Sequence, residues 1–152
     1  MSVRFAGYAS VFDVRDRGGD VVRRGAFGAP GAVPLLWQHK GAPVGTIERI
    51  EEDSRGLRVI GRVEAPGLAA AVAAGAVTGL SFGYRVREAA GAGVREIRRL
   101  DLMEVSLVAS PMQPLARVHA VAAGGVARDE CDRADRGREG APAESPNIQS
   151  PS

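Results

Sequence analysis

The 152-residue sequence has one cysteine, Cys131, two histidines, His39 and His119, and one lysine, Lys40. A lone cysteine excludes an internal disulfide framework and fits a reducing cytosol. One cysteine and two histidines are too few for the usual four-ligand structural zinc site, so no metal is expected. Aromatic residues make up only 5%, too sparse for a base-stacking platform. The basic residues are otherwise all arginine in a chain rich in alanine and glycine, and the net charge is only +2. That bias follows coding-sequence composition as readily as a nucleic-acid site, and no direct nucleic-acid binding is expected. No apolar run reaches the roughly 18 residues of a membrane helix. The opening Met1-Ser2-Val3-Arg4 enters an amphipathic segment without a signal-peptide core, so neither membrane nor secretion is expected.

What is present points to a turn-rich fold rather than a long-helix bundle: 20 glycines, nine prolines, 45% apolar and 25% charged residues. The composition changes at Gly124-Gly125. The segment that follows, ARDECDRADRGREGAPAESPNIQSPS, has almost no large apolar side chain and cannot bury enough surface to offset its ordering entropy. The expected organisation is a folded domain over 1–123 and a disordered C-terminal tail over 124–152.

Strand signals dominate the folded part. Val3–Phe12, Val33–Gln38, Val44–Glu51, Gly56–Glu64, Leu80–Glu88, Val94–Leu100, Leu102–Ala109 and Ala116–Ala122 read as strands, with Asp13–Asp20 a polar turn. In Gly56–Glu64, Leu57, Val59 and Val63 share one face while Arg58 and Arg62 share the other. Leu68–Ala74 is the one clear helix, entered after Pro66 and stopped by Gly75. The class is mainly β with short helices (α+β), an antiparallel barrel or sandwich that takes six or seven of these segments as its strands, with an inserted helix.

Four places could carry chemistry. His39 ends the apolar run LLWQH at the mouth of a strand, a setting for a general base or for a packed histidine bonded to a turn carbonyl. Ser81 lies in Gly79-Leu80-Ser81-Phe82-Gly83, formally G-x-S-x-G. A nucleophile elbow needs a helix next, and FGYRVRE alternates like a strand, so glycines at a strand bulge are the competing reading. Glu104, within LMEVSLV, must face solvent or pair with a buried partner, and it could orient a histidine. Asp101 reads as a surface ion-pair residue, His119 as an exposed strand residue, and Cys131 as having no catalytic role. Asp13, Asp16 and Asp20 lack the spacing and distal Glu of a calcium loop.

Five blocks, GYASVFDVRDRGGDVVRRGAF (7–27), VPLLWQHKGAPVGTIERIEED (33–53), GLRVIGRV (56–63), GAVTGLSFGYRV (75–86) and LDLMEVSLVASPMQPLARV (100–118), resemble in order and spacing the prohead (capsid maturation) serine proteases of tailed phages and phage-derived particles. These are distant relatives of the herpesvirus assembly protease. The resemblance implies an antiparallel herpesvirus-protease-like barrel with His39 as general base, Ser81 as nucleophile and Glu104 orienting the histidine. It puts the oxyanion donors in the ASPMQP turn, at the backbone N–H of Ser110 or its neighbours, where the relatives carry an arginine pair that is absent here. It implies no cofactor. The partners it implies are the major capsid protein with its scaffolding segment and the enzyme itself, inside an immature procapsid in the host cytoplasm, with a weak homodimer as a further state. A catalytically silent β-rich assembly or scaffolding module, with His39 and Ser81 merely packed, is the alternative.

Overall fold

The computed structural model describes residues 2–123, so the expected tail lies outside the described residues. Eight strands and one helix follow in the order β1 (Val3–Val11), β2 (Asp20–Val22), β3 (Leu35–Trp37), β4 (Lys40–Glu52), β5 (Gly56–Val63), α1 (Pro66–Ala73), β6 (Gly79–Ala90), β7 (Arg95–Val108) and β8 (Val118–Ala123). The sheet runs β2-β7-β3-β4-β5-β1-β8, and β6 lies along the other side of β7. The apolar face of β5 is as expected: Leu57, Val59 and Val63 are fully buried in the main core with Phe5, Leu35, Leu80, Ile97, Val105 and Leu107. Arg58, expected on the wetter face, is nevertheless buried. On that opposite face Ala6, Ile60 and Ala120, cross-strand neighbours on β1, β5 and β8, form a second small cluster. This buries β1 on both sides.

Three expectations need correction. First, the sheet is not a closed antiparallel barrel. Closure between β6 and β8 stops at one bridge, Gly79 with Arg117, flanked by Leu80 N–H to Ala116 O and Val118 N–H to Thr78 O. The chain before Arg117 carries Pro111 and Pro114, which have no N–H to extend a ladder. Second, β2 and β3 both pair with β7 in parallel. The sequence places Asp20 at the end of a polar turn, and a strand of three residues, Asp20–Val22, is too short to show alternation. Third, Val94–Leu100 and Leu102–Ala109 are one strand, β7. Its register shifts against β6, between Gly83 and Tyr84 and again around Glu88, absorb the break in alternation.

Helix α1 starts with Pro66 in its first turn and ends before Gly75, whose φ of +79° is the left-handed stop favoured by glycine. Its Ala69 and Val72 are buried against the core. On β4, Glu48 falls where the register with β5 slips between Ile47 and Arg49. It reaches both Arg4 (Nη2–Oε1 2.6 Å) and Arg62 (Nε–Oε2 3.3 Å), two arginines that face each other across β1 and β5. One carboxylate thus offsets a cross-strand pair of like charges.

Candidate active site

The site is built where β3, β6 and β7 meet. Residues paired across a sheet point to the same face. Ser81 pairs with Ser106 and Gly83 with Glu104 across β6 and β7, so these four share the face opposite buried Leu80, Val105 and Leu107. β3 runs beside β7 with Leu36 next to Ser106 and Trp37 next to Leu107. It then turns into β4 through two residues only, because Trp37 pairs with Lys40. Both turn residues, Gln38 (φ +56°) and His39 (φ +65°), are left-handed, as in a type I′ hairpin turn. That turn favours Asn-Gly, and each side-chain-bearing residue held there costs on the order of 1–3 kcal/mol.

Tertiary bonds hold the strained turn. The Gln38 N–H donates to Leu107 O (3.0 Å), and the Gln38 side-chain oxygen accepts the Ala109 N–H (2.7 Å). The His39 N–H donates to Ser106 Oγ (3.0 Å). The imidazole then lies over β7 with Nδ1 2.6 Å from Glu104 Oε2. The other carboxylate oxygen, Oε1, accepts the Ser106 hydroxyl (2.7 Å). Glu104 is 13% exposed while His39 is 41% exposed, so the carboxylate is sheltered and the ring meets solvent. With the proton on Nδ1 given to Glu104, Nε2 is the basic nitrogen, the tautomer a general base requires.

Ser81 is buried, one cross-strand step from Ser106, which sets their Cβ atoms about 5 Å apart. Its Oγ has no hydrogen-bond partner among the described residues, His39 included. A cavity of about 60 Å³ beside Ser81, lined by Phe82, Tyr84, Val22, Met112 and Gln113, offers space for a small apolar group. Ser110 is exposed in the turn after β7, and its N–H has no partner among the described residues, whereas the Ala109 N–H is spent on Gln38. The guanidinium of Arg117 is committed to Pro114 O and Thr78 Oγ1. The turn itself is anchored by buried Gln113, which accepts the Val11 N–H and donates to Val11 O (2.9 Å) and Val14 O (3.0 Å).

The structure thus brings together His39, Glu104 and the strand face of Ser81, and leaves other residues elsewhere. His119, expected to be exposed, is half-buried with its ring 5.7 Å from Tyr8 and beside a separate groove with Arg55 and Leu115. Asp101 pairs with Arg87 at the surface. Asp13, Asp16 and Asp20 turn to separate partners: Arg23, local backbone N–H groups, and Arg95 with Tyr84. The hydrogen bond from Arg95 holds the Asp20 carboxyl below the usual carboxylate range. Sequence reasoning missed Ser106 and the reason for Gly83. A Cβ on Gly83 would stand 2.4 Å from Glu104 Oε2 and 3.0 Å from its Cδ. The spacing Glu104-x-Ser106 puts both on one face of a strand and could have signalled the pair.

Several known proteins resemble this chain. The HK97 prohead protease, from an enterobacteria phage, is 38% identical over 94 residues, covering 54% of this chain and 42% of the phage protein. This chain therefore matches about two-fifths of that relative's length. Among solved structures, the KSHV protease in complex with a hexapeptide phosphonate inhibitor superposes with a TM-score of 0.57 at 12% identity, covering 93% of this chain and 78% of the viral one. A second KSHV protease structure gives 0.52 at 14% identity, covering 93% and 75%. These likenesses show the herpesvirus-protease fold. The family model described as caudovirus prohead serine protease matches residues 1–129, and the chain belongs to that family.

Proposed function

We propose that this chain is a serine endopeptidase of capsid maturation in which His39, Ser81 and Glu104 form the catalytic triad. The observation that carries the reading is the 2.6 Å bond from His39 Nδ1 to a sheltered Glu104, on the strand face that Ser81 shares. Substrate entry brings Nε2 to the Ser81 hydroxyl. Nε2 takes the proton as Oγ attacks a peptide carbonyl carbon and later returns it to the leaving amine, while Glu104 stabilises the imidazolium. Water then attacks the acyl-enzyme, releasing the second product and restoring the Ser81 hydroxyl. The unpartnered Ser110 N–H is the first candidate donor to the oxyanion, an interaction worth roughly 2.7–4 kcal/mol where a comparable donor has been removed.

The substrates in this reading are the scaffolding segment of the major capsid protein and the chain itself, cut inside an immature procapsid in the host cytoplasm, with a weak homodimer as a further state. Family membership supports it. The test is co-expression with the capsid protein of the same phage or phage-derived particle, with intact masses of both chains read for wild type and Ser81→Ala. The expected result is a truncated capsid-protein N-terminus with wild type only. Uncut capsid protein and a full-length enzyme in both would reject the reading in favour of a silent assembly module.

A further inference from the structure

Ser106 bonds to two parts of the site at once. Its hydroxyl is fully buried, donates to Glu104 Oε1 at 2.7 Å and accepts the His39 N–H at 3.0 Å. A hydroxyl has one proton and two acceptor lone pairs, so both bonds coexist only when the O–H turns toward the carboxylate. The His39 backbone is left-handed and strained, and the Glu104 carboxylate occupies the space that a Cβ on Gly83 would need. We infer that Ser106 is a positioning residue for the triad, fixing the hairpin turn and the carboxylate relative to each other so that His39 Nδ1 meets Glu104 Oε2. This rests on the triad reading above. Without the hydroxyl, Glu104 Oε1 and the His39 N–H both lose their partner. The turn can then relax away from φ +65°, and the imidazole swings with it. Alanine fills the same strand position but supplies neither bond, whereas threonine supplies both.

The test compares full-length wild type, Ser106→Ala and Ser106→Thr. Phenylmethylsulfonyl fluoride, whose sulfur is attacked by Ser81 Oγ with loss of fluoride, is the probe, and intact mass gives the labelling rate. The expected result is a loss of about 10²-fold in the alanine variant, the scale of an ångström-level misplacement, with most of the rate restored in threonine. Proton NMR adds a readout that packing alone would not move. The low-field Nδ1 proton of His39, from its short bond to Glu104, is expected in wild type and Ser106→Thr and absent from Ser106→Ala. Wild-type labelling in Ser106→Ala, or an unchanged low-field proton, overturns the inference alone. A wild type that takes no label overturns it together with the triad. Should the alanine variant not fold, amide exchange in wild type decides: protection of the His39 N–H supports the inference, and free exchange overturns it.

Discussion

Adding one methyl group at Gly83 separates fold from catalysis. The new Cβ would stand 2.4 Å from Glu104 Oε2, the oxygen that holds His39 Nδ1. Ordinary C···O contacts begin near about 3.3 Å, so the oxygen must retreat by roughly 1 Å. A 2.6 Å bond stretched by that amount is no longer a hydrogen bond. The imidazole loses the partner that fixes its tautomer, and the expected fall in Ser81 labelling is about 10²- to 10⁴-fold. Stability should change little. Rotating Glu104 off its rotamer costs about 0.5–1.5 kcal/mol, and replacing glycine by alanine in extended backbone offsets about 0.4–1 kcal/mol through the unfolded chain. The thermal midpoint should therefore stay within about 6 °C. Sulfonyl fluoride labelling beside a thermal melt reads both quantities. An alanine variant that labels at the wild-type rate refutes the steric reasoning, and so does one that is inactive only because it is unfolded.

Other perturbations follow from the same contacts. His39→Ala should abolish labelling while His119→Ala keeps most of it; the reverse would favour a Ser81–acid–His119 order. Glu48→Ala withdraws the acceptor of two bonds from buried Arg4 and should cost about 3 kcal/mol, the low end for a buried pair because Glu48 keeps some solvent. Burial pushes the Glu48 carboxyl up, but its bonds and charge contacts with Arg4 and Arg62 leave it below the ordinary carboxylate range. Its contribution is therefore complete above the unfolded value and is lost as pH falls through the lower folded one. Urea midpoints between about pH 6 and pH 2 should show that slope in wild type and a shallower one in Glu48→Gln. Gln113→Ala removes three bonds to Val11 and Val14 and should cost about 2–3 kcal/mol by urea unfolding. It should also slow labelling by loosening the turn around Ser110.

Much of this was legible in the amino-acid sequence where one face of a strand carries no charged side chain. β5 announced its buried face through Leu57, Val59 and Val63, and α1 announced its limits through Pro66 and Gly75. β2 and β3 are three residues each, too short to carry a period, and their parallel pairing with β7 depends on contacts far along the chain. His39, Ser81 and Glu104 each looked ambiguous alone, and only the order of the five sequence blocks joined them. By sequence Gly83 fits a strand bulge, whereas the atom it admits belongs to Glu104 on the neighbouring strand. A left-handed Gln-His turn goes against local preference, and nothing in LLWQHK reveals that Leu107 and Ser106 compensate for it.

His39, the proposed general base, directly follows a strand of three residues whose seat on β7 joins positions 35–37 to 105–107. Such distant partners meet only after a large loss of chain entropy, so their docking belongs among the slower events of folding. The sole tryptophan, Trp37, occupies that strand and packs against the main core. Its emission is thus an intrinsic clock for the birth of a competent enzyme, and the return of Ser81 reactivity on refolding should keep time with it rather than with the earlier closing of the β4–β5 hairpin.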